Sequence, residues 1–599
     1  MKKTLLLLIT LLVTMSAVAC GGGDNKNDLV PGQKPEKAVV VDFWMYGDDV
    51  EIEVYERLVK EFNAANEGYV RIKLGKKSPD DYFTALELIL ETGKGPDLFY
   101  VQEQGFKSLA EDGYLYDLTE FVENSTKYKI EDMWDSAVTR FQYDTTTRTN
   151  NGPNKKYYAV PKDIGPTVVF YNETLFKNAQ VNVISVAKED LAAFNSGSKN
   201  DSRGQSKSAL GIQCEVKEKG YFIDTNGKKW FNNQIAMNWE ETVALSQVLQ
   251  AANPGIVGGF FTEWWFNYGW SVGGDCIQYI PTSDANYTGG YWDFTLMDST
   301  KNYIVADDAQ PFTINGNTYQ SGEVIAYTDK IAESSYGTPG VKDTTNKTIR
   351  PEVEAAVQSK QLNVLPSQRE AFVEFVRLGA TKDAVVDVVN GVELKGYGVS
   401  PYPNSLGGDA GKTTSFSSGN IAMLVDGRWN VTTFREKMNG KFEWDVAPLP
   451  IYKEYDENGD VKVHGVPAGH SGSIGVALNK NTNVPNAAWQ FLEYIGGEYG
   501  QSEQSKTGFA IPLQKHLAND DEIFLQSNQN PKNSIVFIDA ARTQKAGDWW
   551  YLRDNAWITD WALLLNEKVR NGQKTLTEFY DSAEYNETYQ KLLSYTKKK

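Results

Sequence analysis

AVVVDFWM at residues 38–45 is a β-branched and apolar run that predicts a buried strand. Residues 50–66 then place apolar side chains at helical spacing, and residues 69–74 (YVRIKL) alternate like a second strand. A second helix is expected from Pro79 to Leu90, ahead of a short third strand at residues 97–101 (DLFYV). Strands and helices in this alternation are typical of an α/β protein built on a parallel sheet.

The loops after the first and third of these strands are the first places to look for a binding site. Ligands of parallel sheets bind at the carboxyl ends of the strands. The loop after Met45 and the loop after Val101 both leave such ends. We therefore expect functional side chains in these two loops.

The chain begins with MKKTLLLLITLLVTMSAVACGGG, which has the order of a secretory signal. Two lysines precede an apolar run that is too short to span a membrane, and small residues precede Cys20. The segment resembles the lipobox of bacterial lipoproteins, although Ala17 stands where that family usually has Leu. The resemblance implies a signal peptide over 1–19, a lipid on Cys20, a flexible tether over 20–37 and a location at the extracellular face of the cell membrane. The alternative is an ordinary signal peptide cleaved before a chance cysteine.

The composition of the chain indicates which classes of ligand and partner it can bind. The 599 residues include 60 basic and 78 acidic ones, a formal net charge of −18 that argues against nucleic acid or anionic lipid as a partner. With three His and no Cys-x-x-Cys motif, we expect no metal and no cofactor. Cys214 and Cys276 form either a disulfide or two free thiols. The 15 Trp, 32 Tyr and 27 Phe have flat rings that suit the apolar faces of sugars, although most must belong to the core.

Two polar, turn-rich segments interrupt the periodic pattern at about 181–235 and 283–350, and both are interpreted as insertions. Residues 452–464 (YKEYDENGDVKVH) predict a β-hairpin, because Asn458 and Gly459 form a strong turn signal. The acidic residues around this turn also have the alternate spacing of a calcium loop. No glutamate follows at the distance that such a loop requires, so we favour the hairpin.

Catalytic motifs of the common kinds are missing from the sequence, which has no G-x-S-x-G, no Walker loop and no H-E-x-x-H. Seven segments instead resemble, in order, the extracellular solute-binding proteins of bacterial ABC importers, the family that includes maltose-binding protein. The segments are LVKEFNAANEGYVRIKL (58–74), ETGKGPDLFYV with LAEDGYLYDLTEFV (91–122), YYAVPKDIGPTVVFYNETLF (157–176), NWEETVAL (238–245), FSSGNIAMLVDGRWNV (416–431), SGSIGVALNKNTNVPNAAWQFLEYI with GFAIPL (471–513), and GDWWYLRDNAW with VRNGQKTLTEFY (547–580).

This resemblance implies two α/β lobes that are discontinuous in sequence and joined by crossover strands, with a ligand cleft between them, as in the periplasmic-binding-protein fold. The first lobe is expected over 38–161 with a return over 467–537. The second lobe is expected over 162–466, and the C-terminal helices at 538–599 belong mainly to it. The protein is expected to act as a monomer that traps an oligosaccharide by hinge closure and delivers it to an ABC permease, with no chemistry on the ligand.

The resemblance also assigns residues to the cleft. These candidates are Trp44, Tyr46, Asp48, Asp49, Tyr100, Glu103, Gln104, Asp163, Glu263, Trp264, Trp265, Trp429, Ser473, Trp549 and Trp550. Their carboxylates are suited to accept hydrogen bonds from sugar hydroxyls, and their rings suit apolar sugar faces. The family's cleft glutamate falls on Gly165, so Asp163 is expected to replace it. Trp429 is the strongest candidate because it follows an apolar run at a predicted strand end, whereas adjacent Trp549 and Trp550 cannot both face the cleft.

Two other functions stay open from the sequence. A secreted glycoside hydrolase shares the aromatic and acidic residues, but it requires a pair of carboxylates at a fixed separation and it turns over its sugar. A protein of the same fold that binds a non-sugar solute, such as a peptide or an aromatic glycoside, is the other alternative.

Overall fold

The structure is a computed structural model that describes residues 28–30, 32–78, 82–103, 105–150, 152–263, 265–341, 347–401, 405–543, 545 and 556–597. The predicted signal peptide, Cys20 and the first part of the predicted tether lie outside these residues. Within the described ranges, every helix is too short or too polar to span a lipid bilayer.

The described chain contains both strands and helices. Its strands are β1 Val39–Met45, β2 Val70–Lys76, β3 Leu98–Gln102, β4 Gln142–Tyr143, β5 Lys156–Tyr157, β6 Ala159–Pro161, β7 Gly165–Asn172, β8 Val181–Ile184, β9 Tyr221–Ile223, β10 Lys229–Asn232, β11 Ile277–Pro281, β12 Gly290–Phe294, β13 Asn302–Val305, β14 Phe312–Ile314, β15 Asn317–Tyr319, β16 Leu362–Leu365, β17 Val385–Val389, β18 Val392–Lys395, β19 Met423–Gly427, β20 Trp444–Ala447, β21 Lys453–Tyr455, β22 Val461–His464, β23 Ser471–Gly472 and β24 Ile474–Leu478. Its α-helices are α1 Asp49–Ala65, α2 Tyr82–Glu91, α3 Phe106–Glu111, α4 Thr119–Asn124, α5 Asp135–Arg140, α6 Glu173–Asn178, α7 Leu191–Ser196, α8 Lys207–Leu210, α9 Trp239–Ala252, α10 Phe266–Ser271, α11 Tyr327–Lys330, α12 Pro351–Gln358, α13 Gln368–Gly379, α14 Gly408–Ser417, α15 Val431–Met438, α16 Pro485–Gly496, α17 Glu498–Ser505, α18 Lys515–Ala518, α19 Ile535–Arg542, α20 Ala556–Leu565, α21 Leu576–Tyr580 and α22 Ala583–Thr596.

The first sheet has the strand order β2-β1-β3-β24-β6. Its N-terminal strands β1, β2 and β3 are parallel, as the strand–helix alternation predicts. Strand β24 comes from far along the chain and pairs antiparallel with both β3 and β6. The first sheet is therefore completed by a segment that follows the strands of the second sheet in the chain.

Two antiparallel segments connect the first sheet to the second. One runs from β6 into β7, and the other runs from β23 into β24. They pair side by side, with Gly472 opposite Gly165 and Ser471 opposite Pro166. The first lobe is consequently discontinuous, and the second is too, because Trp561 and Tyr585 near the C-terminus join its core. The two lobes share a pair of crossover strands, which confirms the predicted fold class.

The second sheet has the order β19-β7-β20, and all eight residues of its central strand β7 are buried. Side chains alternate between two faces of a strand, and β7 uses both faces. Val168 and Phe170 join the core shared with the first sheet, whereas Val169 and Tyr171 join the core of the second lobe. Strand β7 therefore packs against both cores, in addition to being connected to a crossover.

Asp445 on β20 makes the stability of the second lobe depend on pH. Its side chain is 4% exposed and accepts backbone N–H bonds from Asn533 and Val446, both at 2.9 Å. Burial is the main cause that raises the pKa of Asp445 to about 7. The native state thus holds a proton that the unfolded chain releases above about pH 4, so this stabilisation is lost as the pH rises from about 4 to 7.

We expect Asp445→Asn to flatten that part of the pH dependence, because an amide cannot ionise and its oxygen still accepts both N–H bonds. Urea unfolding of the wild type and the variant between pH 5 and 8 measures this. The free energy of unfolding of the wild type should fall relative to that of the variant across this range, and parallel curves would contradict the assignment.

Both insertions fold as packed units. The first forms the three-stranded sheet β8-β10-β9 over a small core that includes Phe194 and Trp230. The second places Tyr303, Val305 and Phe312 in another small core. Their polar composition reflects a large exposed surface around each of these cores.

The predicted hairpin is confirmed as β21 paired with β22. Its turn uses Gly459 at a positive φ of 81°, and the Asp456 carboxylate accepts N–H bonds from Asn458 and Asp460 at 2.9 Å. That carboxylate therefore closes the turn. Among the described residues, no group of three or more His, Cys, Asp or Glu is placed to hold a metal.

The end of the predicted tether packs onto the first lobe. Leu29 is buried, and the Asp28 carboxylate accepts N–H bonds from Asn486 and Ala487 at the start of α16. The chain is thus fixed before Lys37, earlier than the sequence predicts, because Asp28 satisfies free N–H groups at a helix N-terminus.

The two cysteines of the described chain are free thiols, Cys276 buried and Cys214 half-buried. This resolves the two alternatives that the sequence leaves open for them.

Candidate functional site

A cavity of about 670 Å³ lies between the two sheets, directly over the crossover strands. Its size is in the usual range for a small-molecule site. It is lined by Tyr46, Glu51, Tyr100, Gln102, Glu103, Lys162, Asp163, Gly165, Glu263, Gly408, Trp429, His470, Gly472, Ser473, Ile474, Phe509 and Ala510. The loops after β1 and β3 both contribute, as expected for a sheet of this kind.

Seven of the candidates from the sequence come together in this cavity. They are Tyr46, Tyr100, Glu103, Asp163, Glu263, Trp429 and Ser473. Tyr100 is only 1% exposed, and its hydroxyl donates to Glu51 at 2.9 Å. Ser473 donates to the backbone oxygen of Asp163 at 3.0 Å. The cavity thus combines aromatic rings with several carboxylates.

Trp429 follows β19 and lies against the crossover strands. A Cβ atom on Gly165 would come within 2.8 Å of its ring, and one on Gly472 within 3.0 Å. Only glycine leaves space for the indole at these positions. This explains why Gly165 stands where the resembling family has a glutamate: the Trp429 ring occupies the space of a side chain there.

Lys162 is the cation on the side of the cavity that the first lobe forms, which we call the first-lobe wall and which includes Glu51 and Asp163. Its ammonium lies 2.6 Å from Glu51 and 3.0 Å from Asp163, and it is 2% exposed. Burial alone would lower the pKa of Lys162, but the Asp163 and Glu51 carboxylates outweigh burial and raise it. Burial raises the pKa of Glu51, and Lys162 opposes that rise. Lys162 is therefore charged, and two carboxylates share it.

Glu103 is held by a second cation behind the cavity wall. Arg140 donates to Glu103 at 2.6 Å, and both side chains are at most 3% exposed. The His470 ring lies 3.8 Å from the other Glu103 oxygen. Burial, followed by the charge of Arg140, lowers the pKa of His470 well below its usual value, so the ring is neutral at pH 7.

Glu263 brings a carboxylate from the second lobe. Lys412 on α14 donates to it at 2.5 Å and lies 3.9 Å from buried Asp426. The Lys412 side chain is 2% exposed, whereas that of Glu263 is 18% exposed. The carboxylate is thereby oriented from behind and still reaches the cavity.

Four candidates take other places in the structure. Trp44 packs beside Gly75 on the sheet, with the Lys77 ammonium 3.8 Å from its ring centroid. Asp48 caps α1 by accepting the N–H of Glu51 at 2.8 Å, and Asp49 is exposed in the first turn.

Trp265 belongs to the core of the second lobe. It is 4% exposed, donates to Cys276 and packs 5.0 Å from the Trp561 ring centroid. Neither Trp44, Asp48, Asp49 nor Trp265 is among the residues that line the cavity. Asp48 caps a helix, Trp44 and Trp265 pack against or within a core, and Asp49 is exposed.

The remaining candidates Gln104, Trp264, Trp549 and Trp550 lie outside the described residues. Their roles stay predictions.

Among the lining residues with polar or aromatic side chains, five were not candidates from the sequence: Glu51, Gln102, Lys162, His470 and Phe509. For two of them, a feature of the sequence could have indicated a place in the site. Lys162 precedes a candidate carboxylate, and Phe509 lies in the GFAIPL segment that resembles the family. Glu51 had none, because the first turn of a surface helix normally holds solvated acidic residues.

The sequence pattern of bacterial extracellular solute-binding proteins matches residues 57–532. The chain belongs to this family. The resemblance found in the seven segments is thus confirmed, and so is the expectation that the protein binds its solute and is not an enzyme. A search of curated protein sequences finds no match.

Solved structures share the fold at low sequence identity. The ABC substrate-binding protein Lmo0181 from Listeria monocytogenes, in complex with cycloalternan, is 17% identical with a TM-score of 0.54, over 94% of this chain and 100% of that one. The cyclic alpha-maltosyl-1,6-maltose binding protein from Arthrobacter globiformis is 15% identical with a TM-score of 0.52, over 93% and 99%. The GacH receptor of Streptomyces glaucescens, solved unliganded and with acarbose, is 15% identical with a TM-score of 0.51, over 93% and 98%.

Proposed function

We propose that this solute-binding protein captures an oligosaccharide outside the cell and delivers it to an ABC import permease. The observation that carries the proposal is the cavity in which the Trp429 ring meets the Asp163 and Glu263 carboxylates at the crossovers. A sugar has apolar CH faces for a ring and a rim of hydroxyls for carboxylates. The three similar structures described above carry sugar-related ligands in their descriptions, which supports the same class here.

The mechanism that we propose is closure of the two lobes about the crossovers. The first lobe is proposed to cover 38–161 and 467–537, and the second 162–466 with most of 538–599. Each lobe contributes one side of the cavity, so a bound sugar contacts both and stabilises the closed form by its differential affinity for that form. A permease can then distinguish loaded protein from empty protein, with the protein acting as a monomer.

A calorimetric screen of linear and cyclic oligosaccharides tests the ligand class. We expect at least one neutral oligosaccharide to bind with 1:1 stoichiometry and to be recovered intact after prolonged incubation. Turnover that disappears in Glu263→Gln would instead support the hydrolase alternative. Binding of peptides but of no sugar in the screen would support a non-sugar solute.

Membrane attachment is proposed to depend on a lipid at Cys20. We expect Cys20→Ser to release the mature protein from the membrane fraction of its host, because acyl chains bind a bilayer with about 0.8 kcal/mol per buried CH₂. Fractionation followed by immunoblotting measures this, with a Cys214→Ser variant as the control that stays attached. Unchanged membrane retention of Cys20→Ser would contradict lipid anchoring at this residue.

A further inference from the structure

The first-lobe wall of the cavity contains two carboxylates on one buried ammonium. Lys162 lies between Glu51 at 2.6 Å and Asp163 at 3.0 Å, and its ammonium is 4.3 Å from the Phe509 ring centroid. All three of these neighbours line the cavity. An ammonium has three hydrogens and no acceptor, and here two of its contacts are carboxylates.

Glu51 is buried although it lies in the first turn of a helix, where acidic side chains are normally solvated. It is only 7% exposed and accepts a second hydrogen bond, from the Tyr100 hydroxyl at 2.9 Å. A buried carboxylate is costly without a cation, and removing one partner of a buried ion pair leaves the other uncompensated. Burial of Glu51 at the cavity therefore depends on Lys162.

We propose that Lys162 is a positioning residue that keeps the buried Glu51 carboxylate ionised and holds Glu51 and Asp163 in place, so that this side of the cavity selects solutes with hydroxyl donors over acidic sugars. Ionised carboxylates only accept hydrogen bonds. A wall of this kind matches hydroxyl groups and repels carboxylate, sulfate or phosphate substituents. The choice of sugars rests on the proposed function, whereas the role of Lys162 does not.

The charges around the cavity agree with this selection. Four carboxylates line it, and Lys162 is the one lysine or arginine among the described lining residues. Arg140 and Lys412 compensate Glu103 and Glu263 from behind. Glu51 and Asp163 share the single ammonium of Lys162, so two carboxylates face one cation on this side of the cavity. An anionic solute would add to the negative charge there.

The other titratable groups that face Lys162 are tyrosines. They are Tyr46 after β1, Tyr55 on α1 and Tyr100 on β3. Burial raises the pKa of Tyr46 to about 12 and the pKa values of Tyr55 and Tyr100 further. All three stay protonated below pH 9. Burial raises the pKa of Glu51 and Lys162 opposes that rise, so we expect Glu51 to respond to pH between 5 and 8 when the charge of Lys162 is removed.

Melting temperatures of Lys162→Met, Lys162→Arg and the double variant Glu51→Gln/Lys162→Met at pH 5 and pH 8 test the positioning role. Without the cation, a buried carboxylate takes up a proton in the native state and destabilises the fold when it must ionise. We expect the deficit of Lys162→Met to be roughly twofold or more larger at pH 8 than at pH 5. Lys162→Arg keeps the charge and should show no such pH dependence, and the double variant should regain at least half of the deficit at pH 8.

A deficit of Lys162→Met that is the same at both pH values, or a double variant that regains nothing, would overturn the proposal and leave Lys162 with a packing role. If Lys162→Met fails to fold while the double variant folds, the proposal is supported, because only the uncompensated charge differs. If both fail to fold, the charge of Glu51 does not account for the loss, and the proposed role of Lys162 toward Glu51 is overturned.

A glycan array with neutral oligosaccharides and uronic-acid or sulfated ones of the same length tests the selection. We expect the neutral glycans to bind about tenfold or more tightly than their acidic counterparts. Equal binding of acidic glycans would overturn the selection. An array with no bound glycan would overturn the proposed function and the selection together, whereas the melting temperatures decide the role of Lys162 separately.

Discussion

Trp429→Ala is expected to weaken oligosaccharide binding about 30-fold or more, a loss of about 2 kcal/mol. The indole is half-buried, lines the cavity and lies close to Gly165 and Gly472. Truncation removes the aromatic ring that the solute is proposed to contact, and it leaves the crossover backbone exposed to water. Calorimetric titration with the oligosaccharide found in the screen, together with thermal melting of the same variant, measures both effects.

Trp265→Ala is the matched control for this prediction. Trp265 is 4% exposed and packs in the second-lobe core, outside the cavity. Its truncation is expected to cost about 3–5 kcal/mol of stability, with little effect on affinity in the folded fraction. Unaltered affinity of Trp429→Ala beside a large drop in its melting temperature would show that the Trp429 ring is a core residue.

Arg428→Met is expected to stabilise the protein by about 1–4 kcal/mol, the range seen when buried charges are replaced by apolar residues of similar volume. Arg428 is 0% exposed, and within the described part of the chain its guanidinium donates one hydrogen bond, a long one of 3.5 Å to Ser534. Its Nε and Nη2 atoms have no hydrogen-bond partner among the described residues. The rings of Phe524 and Phe537 face the guanidinium at 4.5 and 5.0 Å.

The physical reason is the cost of desolvating a charge that is poorly compensated. Burial is the main cause that lowers the pKa of Arg428 well below its usual value. A methionine keeps the contacts with the two phenylalanine rings and removes the unsatisfied donors. Urea unfolding at pH 7 measures the change, and a lower free energy of unfolding for Arg428→Met would show that the aromatic rings more than compensate the charge.

Arg435→Met provides the comparison for Arg428→Met. Arg435 donates to the backbone oxygen of Asn530 at 2.6 Å and to Gln526 at 2.9 Å. Both acceptors lose a charge-assisted hydrogen bond in the variant, so we expect it to be less stable than the wild type. If the free energy of unfolding rises in Arg428→Met and falls in Arg435→Met, the effect of losing hydrogen bonds is separated from the effect of removing a charge.

Elements with strong local periodicity could be predicted from the sequence. The strands and helices between residues 38 and 101 and the hairpin around Gly459 are present as expected. Each depends on neighbouring residues: alternation for a strand, a 3.6-residue period for a helix and a turn residue that accepts positive φ. The family, too, was evident from short segments in a constant order.

The site was only partly predictable. Seven of the candidates line the cavity, but Trp265 lies in the core and Asp48 caps a helix. A tryptophan in a core and one in a cleft have the same local sequence signature, because both are apolar residues near strand or helix ends. Only the packing of the surrounding elements separates them.

By itself, the sequence determined an α/β fold of the solute-binding family and the loops from which a site could be built. The tertiary structure alone decided which side chains meet there. Lys162 and Glu51 are 111 residues apart, and β24 of the first sheet follows all three strands of the second in the chain. No local sequence pattern links residues this far apart, because the crossover strands bring their segments together only in the folded protein. Burial then makes the Glu51 carboxylate require the Lys162 ammonium.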